Sequence, residues 1–531
     1  MTPSEPSGVG PRGPVRLLSG DFFGLEGRPV EVQVDVSARG SPGFRIVGLP
    51  GKTTQESRER IQTAIRNSGF RFPCQERILV NLAPSFEEKD GAGFDLPVAL
   101  GILLATGQAL AATASGPARD QPRGPDLSVF GFLGELGLEG ELRPVPGALL
   151  TASALRDRGV RTMIVSEGNA GEVALLPGVE VFAARDIHDA LRALQGDLAV
   201  HRSAGRIASR VRRPSDDFVE VRGQEGTKRA LLVAAAGGHN VLLCGPPGVG
   251  KTMVARRLPG ILPDLSIDEA LDVTRIRSAA GLCIRGGLIQ ERPFRAPHHT
   301  ISYSGLVGGG SPPRPGEVSL AHNGVLFLDE LPEFPRRALE ALRQPLEEGR
   351  ITIARSSGAA TYPAVLLLVA AMNPCPCGYL GHPRRSCRCT PLQVQGYRNR
   401  ISGPLLDRID LRITVGSVDS RDILRQGPQA CPGLDSRTMA DLVAAAWIIQ
   451  ARRWGGDARN GRIGLDRLLK EGSYCPGALR LVSIMGERQA LSVRAFERTL
   501  RVARTIADLE GAPQVAEEHV QEALACRHLP G

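Results

Sequence analysis

The chain has 531 residues, 42% of them hydrophobic and 23% charged, with 63 glycines and 40 prolines. This composition excludes a wholly disordered or fibrous protein, and the length sets a prior of roughly three or four domains at ~150 residues each. The net charge of +9 is compatible with an anionic partner such as nucleic acid, and equally with a plain arginine bias, so charge alone does not decide.

Only five of the 65 basic residues are lysines: Lys52, Lys89, Lys228, Lys251 and Lys470. Each therefore invites a specific reason. Residues 1–14 are rich in Pro, Gly and Ser with no apolar run, and read as a disordered tail rather than a signal peptide. A first domain is expected over 15–195. In it, Val30 to Val36 alternates with polar residues, predicting a half-buried strand. Residues 56–68 predict a helix closed by Gly69, and 77–82 a second strand. The uncharged run 96–115 has the length of a membrane span, but its Ala, Gly, Thr and Gln content, with Pro97, reads as a buried helix; no membrane segment is expected. Short apolar stretches at 162–165 and 179–182 predict continued α/β alternation.

Residues 196–217, with five arginines and little apolar content, form an expected linker, read as a solvated connector or, less simply, a nucleic-acid contact. From 218 to 416 very apolar segments at 240–244, 324–328 and 364–371 predict buried parallel strands. From 417 to 531 the pattern is helical, with apolar spacing at 439–452 and 493–509. The fold class is thus α/β, with a helical C-terminal domain.

Gly245-Pro246-Pro247-Gly248-Val249-Gly250-Lys251-Thr252 matches G-x-x-x-x-G-K-[ST]. An apolar strand leads in and a helix leads out. Glycines let backbone N–H groups close around phosphates at a helix N-terminus. Lys251 is placed to reach the β- and γ-phosphates, and Thr252 to hold Mg²⁺. Gly51-Lys52-Thr53 copies the end of the motif, but Ile46 stands where the first glycine belongs, so no phosphate role is assigned.

The apolar segment 325–328 ends in Asp329 and Glu330, which predicts acid at the ligand edge of a parallel sheet. Asp329 would complete the Mg²⁺ shell and Glu330 would activate the attacking water. Asn373 ends the next apolar strand and would orient that water.

Cys375-Pro376-Cys377 and Cys387-Arg388-Cys389 place four thiols within 15 residues. Four thiolates can surround one tetrahedral Zn²⁺. Free thiols and a redox pair are alternative readings, since C-x-C is a less usual spacing than C-x₂-C. Arg384, Arg385 and Arg388 would project from the same loop toward a DNA backbone. Ten cysteines without an export signal point to reduced thiols and a cytoplasmic location.

In this order the P-loop, the acidic strand end and Asn373 resemble the AAA+ ATPases. Phe294-Arg295-Ala296-Pro297-His298-His299-Thr300-Ile301-Ser302, the segment from Pro315 to Gly324, and Ile401-Ser402-Gly403-Pro404-Leu405-Leu406-Asp407-Arg408-Ile409-Asp410 look like the magnesium-chelatase-related branch. From 16 to 528 the chain resembles the YifB/ComM family, which joins a Lon-like α+β N-terminal domain, an AAA+ ATPase core and a helical, chelatase-type lid. The resemblance implies that Arg408 is an arginine finger acting in a ring, expected to be a hexamer, and that Arg494 is the sensor-2 arginine. Arg400 is a second finger candidate. His298 and His299, read as adjacent positions of an extended strand, are expected to face opposite sides.

Val47-Gly48-Leu49-Pro50, Glu56-Ser57-Arg58-Glu59-Arg60, Gly93-Phe94-Asp95 and Gly134-Glu135-Leu136 look like the family's Lon-like domain. Gly51 departs from it where Asp is usual. Lon proteases carry a nucleophilic Ser in this region, but Lys89-Asp90-Gly91-Ala92-Gly93-Phe94 has no hydroxyl, so the domain is expected to be non-proteolytic. The family implies a DNA motor on single-stranded or branched DNA, with branch migration as in natural transformation. A chelatase-type protein-remodelling ATPase and a regulatory ATP-binding switch are the alternatives; an ATP-dependent protease is disfavoured by Ala92.

Overall fold

The computed structural model describes residues 13–85, 89, 91–111, 126–197, 217–282, 287–355, 358–416, 435–456, 458–488 and 492–527. Most of the expected tail, the expected linker from 198 to 216, and 417–434 lie outside the described residues. The chain divides into two compact units, one mainly of residues up to Ala208 and one mainly of residues from Ser209 on.

The first unit is built on a mixed seven-stranded sheet. Its strands are β1 (Val15–Phe23), β2 (Glu26–Ser37), β3 (Gly43–Val47), β4 (Arg77–Ala83), β5 (Phe130–Leu133), β6 (Thr162–Ser166) and β7 (Glu180–Ala184). The order is β3-β4-β2-β1-β5-β6-β7. β1, β2 and β4 pair antiparallel, whereas β5, β6 and β7 run parallel. The alternation seen in the sequence is realised in β2, where Val30, Val32 and Val34 are buried. Helix α1 (Lys52–Asn67) starts four residues before the expected position and ends where expected, with Gly69 in a left-handed turn. It buries Ile61, Ala64 and Ile65. Helix α2 (Asp95–Ala105) occupies the uncharged run and is buried along most of its length.

Three of the N-terminal sequence segments converge on one carboxylate. Asp95 is fully buried and accepts from Arg60 of α1 at 2.6 Å and from the Leu136 backbone at 3.2 Å. Ser57 accepts from the same arginine at 2.8 Å. Burial pushes the Asp95 pKa up and the Arg60 guanidinium opposes it. These segments therefore tie α1, α2 and the β5 end together. The Gly51-Lys52-Thr53 copy opens α1, with Gly51 at φ −67° rather than in the left-handed region.

The second unit holds a five-stranded parallel sheet. Its strands are β8 (Val241–Cys244), β9 (Phe294–Arg295), β10 (Val325–Leu328), β13 (Leu367–Met372) and β14 (Leu411–Thr414), in the order β9-β10-β13-β8-β14. A separate antiparallel hairpin, β11 (Arg350–Arg355) with β12 (Gly358–Pro363), precedes β13. All four side chains of β8 and of β10 are buried. At ~1.5–3 kcal/mol for each large apolar side chain, such strands are stable only inside a layered fold.

Helices α3 (Glu225–Gly237), α4 (Lys251–Arg257), α5 (Pro391–Arg398), α6 (Ser436–Trp454), α7 (Val493–Leu509) and α8 (Glu517–Ala525) belong to this unit. Met439, Val443, Leu500, Ile506 and Val520 share one hydrophobic core with Val241, Leu243 and Val369. Trp447 and Gln450 of α6 donate to the Ala235 and Ala236 carbonyls at the end of α3, fixing the helical region on the sheet unit. Among the described residues, no helix is long and apolar enough to cross a membrane.

Candidate functional site

Three neighbouring strands deliver the phosphate-site residues from the same edge. The P-loop follows Cys244 of β8, Asp329 follows Leu328 of β10, and Asn373 follows Met372 of β13, which lies between the other two. The C-terminal edge of a parallel sheet is where such folds hold ligands.

Gly248 (φ +79°) and Gly250 (φ +90°) are left-handed, which turns successive N–H groups toward the loop's interior. Gly245 is required for a different reason: a Cβ there would lie 2.4 Å from the Val415 carbonyl. Gln224 donates to the Val249 carbonyl at 2.5 Å and braces the loop from outside. Pro246 and Pro247 complete the turn.

Lys251 is buried at the start of α4. Its Nζ donates to the Gly245 carbonyl at 2.5 Å, the Pro246 carbonyl at 3.0 Å and Asn373 Oδ1 at 3.0 Å. Burial pushes its pKa down, and Asp329 counters that. Thr252 Oγ1 donates to Asp329 Oδ2 at 2.6 Å. Two oxygen ligands thus sit side by side next to the lysine, the donor chemistry that Mg²⁺ takes. Glu330 is left-handed at φ +52° and its N–H donates to Asp329 Oδ1 at 3.0 Å. The residues present therefore fit a nucleotide triphosphate with Mg²⁺.

Glu330 also has a neighbour that sequence reasoning missed. His299 Nδ1 lies 3.4 Å from Glu330 Oε2. The expectation that His298 and His299 face opposite sides is wrong. Their ring centroids are 4.1 Å apart. β9 stops at Arg295, so strand alternation no longer applies three residues later.

Arg408 and Arg494 come together elsewhere. Both pair with Glu347, Arg408 through a short hydrogen bond and Arg494 at 3.5 Å. The cavity they line also includes Asn240, Asp410 and Arg498, and no residue of 245–252, Asp329, Glu330 or Asn373. Asp410 is buried. Burial alone would raise its pKa, but Arg498 and His239 outweigh that and hold it well below the carboxylate range. It accepts from the Asn240 backbone, and the Asn240 side chain donates to the Arg408 carbonyl at 2.9 Å. The start of β8 is thereby tied to the arginine. Arg400, the second finger candidate, pairs instead with Glu333 at 2.7 Å.

The family model for magnesium chelatase, subunit ChlI, matches residues 217–423; the model for subunit ChlI of Mg-chelatase matches 30–169; and the model for its C-terminal region matches 433–527. The uncharacterized protein YifB of Salmonella typhimurium is 43% identical over 513 residues, covering 96% of both chains. The competence protein ComM of Haemophilus influenzae is 40% identical over 517 residues, again 96% of both. The chain belongs to the YifB/ComM family of magnesium-chelatase-related AAA+ proteins. A shorter similarity, 31% over 147 residues and 25% of this chain, links it to Lon protease 2 of Bacillus subtilis.

Membership in the YifB/ComM family implies ATP and Mg²⁺, in agreement with the donor set at Lys251, Thr252 and Asp329. Glu347, Asp410 and Gln224 carried no sequence assignment, although Asp410 closes the Ile401–Asp410 segment that resembles the family. The hairpin β11–β12 was also missed. Its signal was the alternation of buried Ile351 and Ile353 with exposed Arg350, Thr352 and Arg355. Cys375, Cys377, Cys387 and Cys389 do come together: their sulfurs all lie within 4.8 Å of one another.

Proposed function

We propose that this chain is an ATP-hydrolysing ring motor that acts on DNA, with Zn²⁺ on the four thiolates as a structural metal. The observation that carries the ATPase reading is the pair Thr252–Asp329 at 2.6 Å beside Lys251–Asn373 at 3.0 Å, on adjoining strand ends. Bound Mg²⁺ would supply charge neutralisation at the β- and γ-oxygens. Lys251 holds those oxygens from the protein side. Glu330 takes the proton of the attacking water, and Asn373 fixes where that water stands. Each group sits on a buried strand end or helix start, so little reorganisation is needed at the moment of reaction.

Arg408 and Arg494 converge on Glu347 rather than on the P-loop. We read this as a site split between copies: the arginine pair of one subunit completes the phosphate site of the next. Such a head-to-tail interface closes into a ring, and a hexamer is the expected form.

DNA as substrate is supported by three features. The chain is net positive. Arg384 and Arg388 are exposed on the cysteine loop, and Arg350 and Arg355 on the β11–β12 hairpin. The Haemophilus relative is named a competence protein, in keeping with DNA uptake and recombination. We read the first unit as non-proteolytic. Ala92 and Gly93 occupy the nucleophile region, and Lys89 is buried with its ammonium on the Gly48 and Pro84 carbonyls.

The test is the steady-state ATPase rate with no DNA, single-stranded DNA, duplex and a four-way junction, at two salt concentrations. Salt-sensitive stimulation, greatest on single-stranded or branched DNA, is expected. A rate unmoved by any DNA would shift the assignment to a chelatase-type protein-remodelling ATPase.

A further inference from the structure

The loop between Asn373 and α5 is seventeen residues long and almost devoid of its own core. In 376–390 only Gly378 is buried. A segment of this composition cannot hold a shape by apolar burial and needs a cross-link. Cys375, fully buried, and Cys377 face Cys387 and Cys389 across it. The Sγ–Sγ distances are 3.4 Å for 375–377, 3.6 Å for 375–387 and 3.6 Å for 377–387. A disulfide needs ~2.05 Å. A tetrahedral tetrathiolate Zn²⁺ with ~2.3 Å bonds has edges of about 3.8 Å.

The loop is fastened to the phosphate site at three points. Its first residues continue directly from Asn373, which accepts from Lys251. Tyr397, in the helix that follows the last cysteine, is buried against the same region: burial pushes its pKa up to about 12, and the Asn373 backbone acts on its hydroxyl in the opposite direction. Gly378 packs on the P-loop: a Cβ there would sit 2.7 Å from Pro247 Cδ, and its φ is +83°. The turn that presents Gly378 lies next to Cys377 and is closed by its own N–H on the Cys375 carbonyl at 3.0 Å.

We propose that one Zn²⁺ held by Cys375, Cys377, Cys387 and Cys389 fixes this loop as a buttress behind Pro247 and Asn373, so that the metal state sets how tightly the P-loop grips ATP. The inference deepens the ATP reading and rests on it. The metal does no chemistry on the nucleotide. It holds two of the nucleotide's neighbours in register, and displacements of ~1 Å at such positions can cost ~100-fold in turnover.

Full-length protein purified without chelator should contain about one zinc per chain. Replacing it by Co²⁺ should give the thiolate-to-cobalt charge-transfer bands of a tetrahedral site. Stripping the metal should weaken binding of a fluorescent ATP analogue by about tenfold or more while far-ultraviolet circular dichroism is retained. Gly378→Ala gives the second arm, independent of metal removal. It keeps all four thiols, so it should retain zinc and lose ATP affinity. Lys251→Ala is the control, and should lose nucleotide binding with zinc content unchanged.

No metal in the purified protein overturns the proposal. So does unchanged ATP affinity in both the stripped protein and Gly378→Ala. If the unmodified protein binds no ATP at all, the ATP reading falls and the coupling with it. The zinc stoichiometry and cobalt spectrum separate that failure from failure of the metal site.

Discussion

The phosphate site and the arginine pair belong to the same unit and are organised in opposite ways. The phosphate site is satisfied from within: Lys251, Thr252, Asp329 and Asn373 hydrogen bond to one another across three adjacent strands. The arginine pair rests on a single partner. Arg408 and Arg494 share one carboxylate, Glu347, which is half exposed. The hydrogen bond from Arg408 lowers the Glu347 pKa. The contrast teaches that the phosphate half and the arginine half of this unit are separate clusters, joined through Asn240 and Asp410.

Breaking the second half should have the largest effect. Arg408→Ala is expected to lower kcat for ATP by ~10³-fold or more while leaving ATP affinity near normal, as read by steady-state kinetics beside equilibrium binding. Equal losses in binding would move Arg408 into the site of its own chain. Glu330→Gln should come next, with ATP retained and turnover reduced by ~10²–10⁴-fold. Full turnover in that variant removes Glu330 as the base.

Gly245→Ala should act on binding rather than chemistry. Its Cβ meets the Val415 carbonyl, so ATP affinity should fall about tenfold or more, and the loss should appear in KM. Asp410→Asn tests the joint between the halves. It leaves the buried Arg498 without its partner charge, and should destabilise the second unit by ~3–5 kcal/mol in denaturant unfolding. Glu347→Gln is the mildest change. Arg494 is half exposed and the buried Arg408 keeps its hydrogen bond to the Pro404 carbonyl at 2.8 Å, so turnover should alter by no more than a few-fold.

The binding half was legible in the sequence because each part is local. An apolar strand, a fixed glycine spacing and a following helix define the P-loop within a dozen residues. Asp329, Glu330 and Asn373 announce themselves as polar ends of apolar runs. The four cysteines are similarly close in sequence. The convergence of Arg408 and Arg494 was not legible, because Glu347 reaches them from another part of the fold and no local pattern marks it. His298 and His299 were misread because periodicity was extended past the end of β9, where the backbone turns. In the first unit, Asp95 was seen only as part of a segment. The pairing of its buried carboxylate with Arg60 depends on α1 and α2 packing, which a linear pattern does not encode.

The most direct test of a split site mixes two inactive chains. Lys251→Ala subunits lack a working P-loop but carry the arginines, and Arg408→Ala subunits carry the reverse defect. If the site is shared between neighbours, an equimolar mixture should recover roughly a quarter of normal ATPase activity, the share of interfaces with both halves intact. A mixture as inactive as either parent, in rings shown to contain both chains, would contradict the account.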